Sequence, residues 1–450
     1  MQLVFYRFLF CRLRSAILLL ALAFVAIPAP AQQVNIPDTP AGHTLKAWLD
    51  AFNSGDRDTE DHYIKTYDSS RSLDEEMRFR AMTGGFLLTQ IVKSEPERLE
   101  FMVKEQNGET VAVGKMEVRA GDPAQVASFS LRPVPPGTKA ADLNFRMDRA
   151  GRAQVIDGAA AALNESYVFP EAAKKMEEAV REHQKKGEYD SITDGDDFAK
   201  RLTDDFQAVS HDKHLHVIFS PAVLPPDMGR EGPPDPKQEE KERKEMEGMN
   251  CGFDKAEVME GNVGYLKFDF FADPKICGPT AVAAMNFLAN VDAIIFDLRE
   301  NHGGDPKMVA FVSSYLFAER THLNDLWTRQ GDVTEQYWTD PFVPGKRLDG
   351  KPVFVLTSKQ TFSGAEEFTN NLKVQKRATI VGETTGGGAH PVRGHRINEH
   401  FGIGVPFARA INPVTHANWE GTGVEPDVKV ASALALDTAK KLAAEKVGKK

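Results

Sequence analysis

Hydrophobic and polar positions divide the chain into segments of different periodicity. Residues Thr44 to Ser54 have apolar side chains at helical spacing, and Asn53-Ser54-Gly55 supplies a helix stop. Four alternating or β-branched segments follow, at Leu87 to Val92, Arg98 to Gln106, Thr110 to Arg119 and Gln125 to Pro133. A hairpin turn, Asn107-Gly108, separates two of them. A helix followed by a meander predicts a small α+β accessory domain over residues 38–136.

The next 110 or so residues are first helical and then rich in charge and proline. Amphipathic segments at Ala153 to Asn164, Phe169 to Lys186 and Asp196 to Ala208 predict a helical subdomain over residues 140–220. Residues 221–250 combine proline with dense charge, which is typical of a linker made of a solvated loop or a charged helix.

From residue 251 onward, strand and helix patterns alternate. The predicted elements are Val263 to Phe270, Gly278 to Leu288, Ala293 to Leu298, Lys307 to Leu316, Lys351 to Thr357, Ala365 to Lys373 and Ala378 to Val381. This order predicts an α/β core with a mostly parallel sheet over residues 251–432, followed by a C-terminal helix or tail over residues 433–450. In such sheets, chemistry gathers where strands end and helices begin.

The N-terminus has the features of an export signal. Three arginines precede an apolar run from Ala16 to Ile27, and Ala29-Pro30-Ala31 places small residues at a cleavage site. We expect cleavage after Ala31, a periplasmic or secreted protein, and no stable membrane span after processing. An uncleaved anchor is the alternative, although the apolar run is shorter than the ~20 residues of a spanning helix.

Charge and cysteine content narrow the choice of partners. The hydrophobic share is 41% and the charged share 27%, as in a globular protein. Removal of residues 1–31 takes away three arginines and no acid, which changes the formal net charge from -10 to about -13. This charge argues against a nucleic-acid partner.

The two cysteines that remain, Cys251 and Cys277, are a candidate disulfide in an oxidising compartment, with two buried thiols as the alternative. They lack CxxC spacing, which argues against a metal site.

Two strand-to-helix junctions carry the candidate chemistry. Ser363 follows a predicted strand and begins a predicted helix. A serine there is often only a helix cap. However, Gly364 follows at once, and a helix N-terminus favours the negative charge that develops in acyl transfer. At the second junction, Gly303 and Gly304 follow an apolar strand, so their amides can supply an oxyanion hole.

These blocks occur in an ordered set along the chain. They are D-L-R-E-N-H-G-G from Asp297, T-F-S-G-A-E-E from Thr361, G-E-T-T-G-G-G from Gly382 and W-E-G-T-G-V-E-P-D-V from Trp419. The set resembles the C-terminal processing, or tail-specific, serine peptidase family over roughly residues 140–432. The resemblance implies a crotonase-like (ClpP/crotonase) catalytic core with a helical subdomain. The A-F-N-S-G-D stretch near residue 51 and the element order of the N-terminal domain resemble the nuclear-transport-factor-like fold.

The resemblance also identifies a departure at the general base. Gly387 stands where the family's processing proteases have a lysine, so the base must be another group. His214 lies in an Asp-x-His motif with Asp212, as in the tricorn-core and interphotoreceptor retinoid-binding-protein-like branches, and imidazole titrates near neutral pH. The resemblance implies that Glu420 supports this base. Three other histidines in the glycine-rich loops remain alternative bases: His302, His390 and His395.

The sequence therefore predicts an exported serine peptidase that acts on polypeptides without a metal or an organic cofactor. Ser363 is the expected nucleophile, His214 the base and Glu420 its support, with the amides of Gly304 and Gly364 as oxyanion donors. Oligomeric state, cleavage specificity and the role of the N-terminal domain stay open.

Two other functions remain possible from the residues. Three closely spaced histidines, His211, His214 and His216, suggest a zinc hydrolase, although no HExxH or HxHxDH pattern is present. The retinoid-binding relatives suggest a catalytically silent protein that binds apolar ligands or peptides. The linker is too short to hold the PDZ domain that many relatives insert there.

Overall fold

The computed structural model describes residues 34–135, 137–143, 145–226, 228–229 and 236–448. The predicted signal peptide, with its cleavage site after Ala31, and part of the predicted linker lie outside the described residues. No helix within these ranges is long and apolar enough to cross a membrane.

The N-terminal part folds around a buried tryptophan. Its elements are α1 (Pro40–Ser54), α2 (Arg57–Tyr67), α3 (Leu73–Thr83), β1 (Phe86–Ser94), β2 (Arg98–Glu105), β3 (Val111–Arg119) and β4 (Gln125–Val134). The four strands form one antiparallel sheet in chain order, so the predicted meander is confirmed. Trp48 of α1 is fully buried and contacts the rings of Phe86, Phe101 and Phe129 from three of the strands.

Three amphipathic helices and one strand come next. They are α4 (Arg149–Ser166), α5 (Pro170–Lys185), α6 (Gly195–Ser210) and β5 (His216–Phe219). Apolar side chains of all three helices, including Leu163, Met176 and Phe198, share one core with β5. A charged helix, α7 (Pro236–Gly248), then leads into the α/β core.

The remaining elements build the α/β core. They are β6 (Phe253–Met259), β7 (Val263–Phe268), α8 (Pro274–Phe287), β8 (Ala293–Asp297), α9 (Pro306–Ser314), β9 (His322–Thr328), β10 (Val333–Trp338), β11 (Val353–Thr357), α10 (Gly364–Val374), β12 (Thr379–Gly382), β13 (Val392–Arg396), β14 (Phe401–Pro406), β15 (Ala408–Ile411), β16 (Val428–Lys429) and α11 (Ser432–Val447). The central sheet has the order β16-β12-β11-β8-β7-β6, and only β6 runs antiparallel to its neighbour. The mostly parallel α/β sheet expected for this core is confirmed. The disulfide Cys251–Cys277 joins the segment before β6 to α8.

Two small sheets attach to this core, and both matter for the site. One has the order β10-β9-β15, and the other has the order β13-β14-β5. The second sheet combines a strand of the helical subdomain with two strands of the α/β core, with Val217 opposite Ile403. Because His214 lies just before β5 and His390 just before β13, this sheet brings two distant histidines to one edge of the core.

Candidate active site

Ser363 occupies a strained turn between β11 and α10. Its φ of 52° and ψ of -120° lie outside the regions that non-glycine residues prefer. The surrounding structure fixes this turn, since the Ser363 N–H donates to Glu366 Oε2 at 2.9 Å. The serine and Gly364 line a cavity of about 470 Å³. The predicted junction thus places a hydroxyl-bearing side chain at an accessible cavity.

Two of the three candidate oxyanion donors, Gly304 and Gly364, lie next to each other and line the same cavity. Gly304 has a φ of 133°, and a Cβ on Gly364 would lie 3.0 Å from the Gly304 nitrogen, so the two glycines are in close contact. Neither Gly304 nor Gly364 donates its N–H to an acceptor within the described part of the chain. The candidate Gly303 is different, because its N–H donates to Asn301 Oδ1 at 2.9 Å. This bond removes Gly303 from the set of available donors.

Glu366 holds the serine turn against the glycine-rich loop. Its Oε1 accepts from the Thr385 hydroxyl at 2.5 Å and the Gly387 N–H at 2.6 Å. Its Oε2 accepts from the N–H groups of Ser363 at 2.9 Å and Gly388 at 2.8 Å. Burial raises the pKa of Glu366, and these hydrogen bonds oppose that shift. The sequence analysis missed this residue, although its position three residues after Ser363 is the spacing of a capping box.

His214 lies beside the same loop. Its ring contacts the Phe362 ring, with centroids 4.6 Å apart, and a Cβ on Gly388 would lie 2.5 Å from His214 Cε1. Its backbone N–H donates to Asp212 Oδ1 at 3.1 Å, and its Nδ1 is buried without a hydrogen-bond partner. Burial lowers the pKa of His214 to about 4, so the ring is neutral at pH 7.

The neighbouring Lys213 contacts the glycine-rich loop. Its Nζ donates to the Gly386 carbonyl oxygen at 2.6 Å. The lysine therefore ties the Asp-x-His segment to the loop that contains Gly387.

A second histidine, His390, has the carboxylate partner that was expected for His214, namely Glu420, and has Asp212 as well. Its Nδ1 lies 2.7 Å from Asp212 Oδ2 and 3.4 Å from Glu420 Oε2, and all three side chains are mostly or fully buried. Glu420 Oε2 also accepts from the Ala389 N–H at 2.5 Å. Burial raises the pKa of Glu420 to about 7, and His390 opposes that shift. The sequence analysis expected Glu420 to support His214, but the structure places its carboxylate at His390.

The other candidate histidines do not reach the cavity. His302 is exposed, and its backbone N–H donates to the backbone carbonyl oxygen of Asp269. His395 lies on β13, where burial lowers its pKa. The histidines of the zinc hypothesis do not converge either, because His211 and His216 are exposed and His216 Nδ1 lies 2.7 Å from the His214 carbonyl oxygen.

Among the described residues, Asp212, His390 and Glu420 are the one group of three whose ligand atoms lie close together. The 2.7 Å between His390 Nδ1 and Asp212 Oδ2 is shorter than the ~3.3 Å between two ligands of a tetrahedral zinc at ~2.05 Å. This distance favours a shared proton at that position.

Two family models match the chain over the parts that build this site. Residues 262–430 match peptidase family S41, and residues 145–249 match the N-terminal domain of Peptidase_S41 in eukaryotic IRBP. This part of the chain belongs to peptidase family S41. The S41 part thus includes the helical segment that carries His214 and the core that carries Ser363.

Individual relatives are more distant. The chain is 29% identical over 147 residues to the carboxyl-terminal-processing peptidase 2, chloroplastic, of Arabidopsis thaliana; this match covers 31% of the chain and spans about a quarter of the relative, 26% of its length. A protein from Parabacteroides merdae described as a candidate peptidase has 16% identity and a TM-score of 0.47, with 65% of this chain and 96% of that chain covered. The photosystem II D1 C-terminal processing protease has 16% identity and a TM-score of 0.41, with 66% and 97% covered.

Proposed function

We propose that this protein hydrolyses peptide bonds through an acyl-enzyme on Ser363. The observation that carries the proposal is the meeting of three features at one cavity. These are a serine in a strained strand-to-helix turn, two backbone amides that have no acceptor among the described residues, and His390, with His214 packed against the adjoining Gly388. Such a set supplies a nucleophile, oxyanion donors and a proton acceptor, which acyl transfer needs.

His214 is the proposed general base for Ser363. Its low pKa leaves it neutral and able to accept a proton across the physiological range. As Ser363 attacks the substrate carbonyl, the hydroxyl proton passes to this imidazole, and the negative oxygen receives hydrogen bonds from the amides of Gly304 and Gly364. Burial of the ring makes the base weak in the free enzyme, and the developing oxyanion favours its protonated form.

We propose that the substrates are polypeptides and that the mature protein is exported, beginning at residue 32. The printed name of the Arabidopsis relative supports processing at carboxyl termini. The disulfide Cys251–Cys277 supports an oxidising compartment, because such bonds persist outside the reducing cytosol. N-terminal sequencing of the exported protein tests the cleavage site, and a chain that still begins at Met1 contradicts it.

Labelling with a fluorophosphonate probe tests the nucleophile. We expect labelling of the wild type, loss of labelling in Ser363→Ala, and retention in Ser128→Ala, a matched change on β4 far from the cavity. Peptide hydrolysis should follow the same order and persist with a strong chelator. A folded wild type that neither labels nor cleaves a peptide library favours a binding protein, and loss of hydrolysis with the chelator favours a zinc hydrolase.

A further inference from the structure

Two histidines from different halves of the S41 part lie close to the loop Gly388–His390, which lines the same cavity as Ser363. His390 lines the cavity together with Ser363 and Gly364. His214 contacts Gly388, which lines the same cavity two residues before His390. A single base for the serine needs only one of them, so the second histidine requires an explanation.

The hydrogen bonds of His390 determine which of its nitrogens is available. Because an ionised carboxylate can only accept, the Nδ1–H group donates a hydrogen bond to Asp212 Oδ2, and Glu420 Oε2 lies 3.4 Å from the same nitrogen. Asp212 is itself fixed, since its Oδ2 accepts from the Tyr167 hydroxyl and its Oδ1 from the His214 N–H. Because Nδ1 is occupied, Nε2 is the nitrogen that His390 offers to the cavity.

The two histidines differ in what surrounds their ring nitrogens, although Asp212 lies near both. Within the described ranges, no carboxylate pairs with a ring nitrogen of His214 and its buried Nδ1 has no hydrogen-bond partner, and burial lowers its pKa to about 4. His390 instead has the carboxyl groups of Asp212 and Glu420 at its Nδ1, at 2.7 and 3.4 Å. When the environments of two titratable groups differ in this way, one suits the role of base and the other the role of acid.

We propose that His390 is a second catalytic residue, the acid that protonates the leaving amine, while His214 takes the proton of Ser363. This inference rests on the proposed peptidase function and assigns a distinct role within it. Asp212 and Glu420 are positioning residues, because they hold the His390 ring and its charge.

The proton balance of the cycle closes with two histidines. In acylation, the Ser363 proton moves to His214, the Oγ–C bond forms, and the C–N bond breaks as His390 gives its Nε2 proton to the amine. In deacylation, water attacks the ester, neutral His390 takes the water proton, and His214 returns its proton to Ser363 Oγ as the Oγ–C bond breaks. One water is consumed, an acid and an amine are released, and both rings return to their starting states.

The test compares leaving groups. A peptide amide needs a proton on its leaving nitrogen, whereas the p-nitrophenyl ester of the same acyl group leaves as a stable phenolate. His390→Asn keeps an N–H donor for Asp212 but has no Nε2. We expect the amide-to-ester ratio of acylation rates, measured as pre-steady-state bursts, to fall by ~100-fold or more in His390→Asn. His214→Asn should instead slow both substrates, with a ratio change under about fivefold.

Glu420→Gln gives an independent measurement if His390→Asn does not fold. Its amide oxygen still accepts from the Ala389 N–H, but the carboxylate charge that Glu420 carries beside His390 above about pH 7 is lost, so both substrates are compared at pH 8. We expect the amide-to-ester ratio to fall by about tenfold, with an unchanged circular dichroism spectrum. Equal slowing of both substrates in folded His390→Asn or Glu420→Gln overturns the acid role while the peptidase function stands. Failure of the wild type on both substrates refutes the proposed function itself.

Discussion

Glu366→Gln tests whether the Glu366 carboxylate fixes the turn at Ser363 against the glycine-rich loop. The substitution keeps the size of the side chain but leaves one oxygen in place of two. In the wild type, Oε1 serves Thr385 and Gly387, and Oε2 serves Ser363 and Gly388. The Thr385 hydroxyl can turn to accept from the new amide. The other donors are backbone N–H groups, so at least one of them loses its acceptor in either orientation of the glutamine.

The cost follows from these contacts. An orphaned buried N–H costs about 1–3 kcal/mol, and loss of the charge weakens the remaining bonds by about 1 kcal/mol. We therefore expect the free energy of opening the loop over residues 385–388 to fall by about 2–4 kcal/mol. Because 1.4 kcal/mol corresponds to a factor of ten, exchange of the loop amides should accelerate by roughly 30- to 1,000-fold.

Hydrogen exchange with mass spectrometry of peptides covering this loop measures the effect, and Glu367→Gln is the matched control. Glu367 is adjacent and buried, but burial raises its pKa to about 8, so it is mostly protonated at pH 7 and an amide changes little. We expect less than about a threefold change in that control. Acceleration below about fivefold in Glu366→Gln, or equal acceleration in both variants, refutes the anchoring role of Glu366.

Three further predictions concern pH and covalent structure. Glu60 is 2% exposed, neither of its oxygens has a partner, and burial raises its pKa to about 7. The protonated Glu60 contributes stability below about pH 4.5, and this contribution is lost as the pH rises to 7. Glu60→Gln should therefore stabilise the N-terminal domain at pH 8 by about 1–3 kcal/mol and leave its stability unchanged at pH 4. An equal effect at both pH values in urea denaturation contradicts this expectation. Replacing Cys251 and Cys277 by serine opens a loop with a sequence separation of 26, so the free energy of unfolding should fall by up to about 3.5 kcal/mol. An unchanged midpoint of thermal or urea unfolding contradicts the presence of the disulfide. Since the pKa of His214 is lowered to about 4, fluorophosphonate labelling of Ser363 should stay above half its maximal rate down to about pH 4.5, and a midpoint near 6.5 contradicts the assignment of His214 as the base.

The sequence predicted the central sheet well because its strands are buried on both faces. The apolar runs at β8 and β11 are fully buried, so composition alone identifies them. The short strands β13 and β14 were missed, since glycines at 394, 402 and 404 interrupt any alternation. Their identity depends on pairing with β5, which is almost 200 residues earlier in the chain.

The residues of the site also differ in how far the local sequence predicts them. Ser363, Gly304 and Gly364 follow from local patterns, because a strand end, a helix start and a glycine lie within a few residues of one another. The partner of Glu420 does not follow from local patterns. Asp212 and His390 are 178 residues apart, and only the packing of three segments decides that their side chains meet.

The sheet β13-β14-β5 joins the half of the chain that carries Ser363 to the half that carries His214, the proposed base. Ser363 lies after the charged helix α7 and His214 before it, yet paired backbones hold the two halves together independently of that connection. Activity therefore requires that the two halves pack against each other, and it does not require that one unbroken chain connects them. Two co-expressed fragments divided within residues 236–248 should reassemble a working centre, while either fragment alone would carry only half of the chemistry.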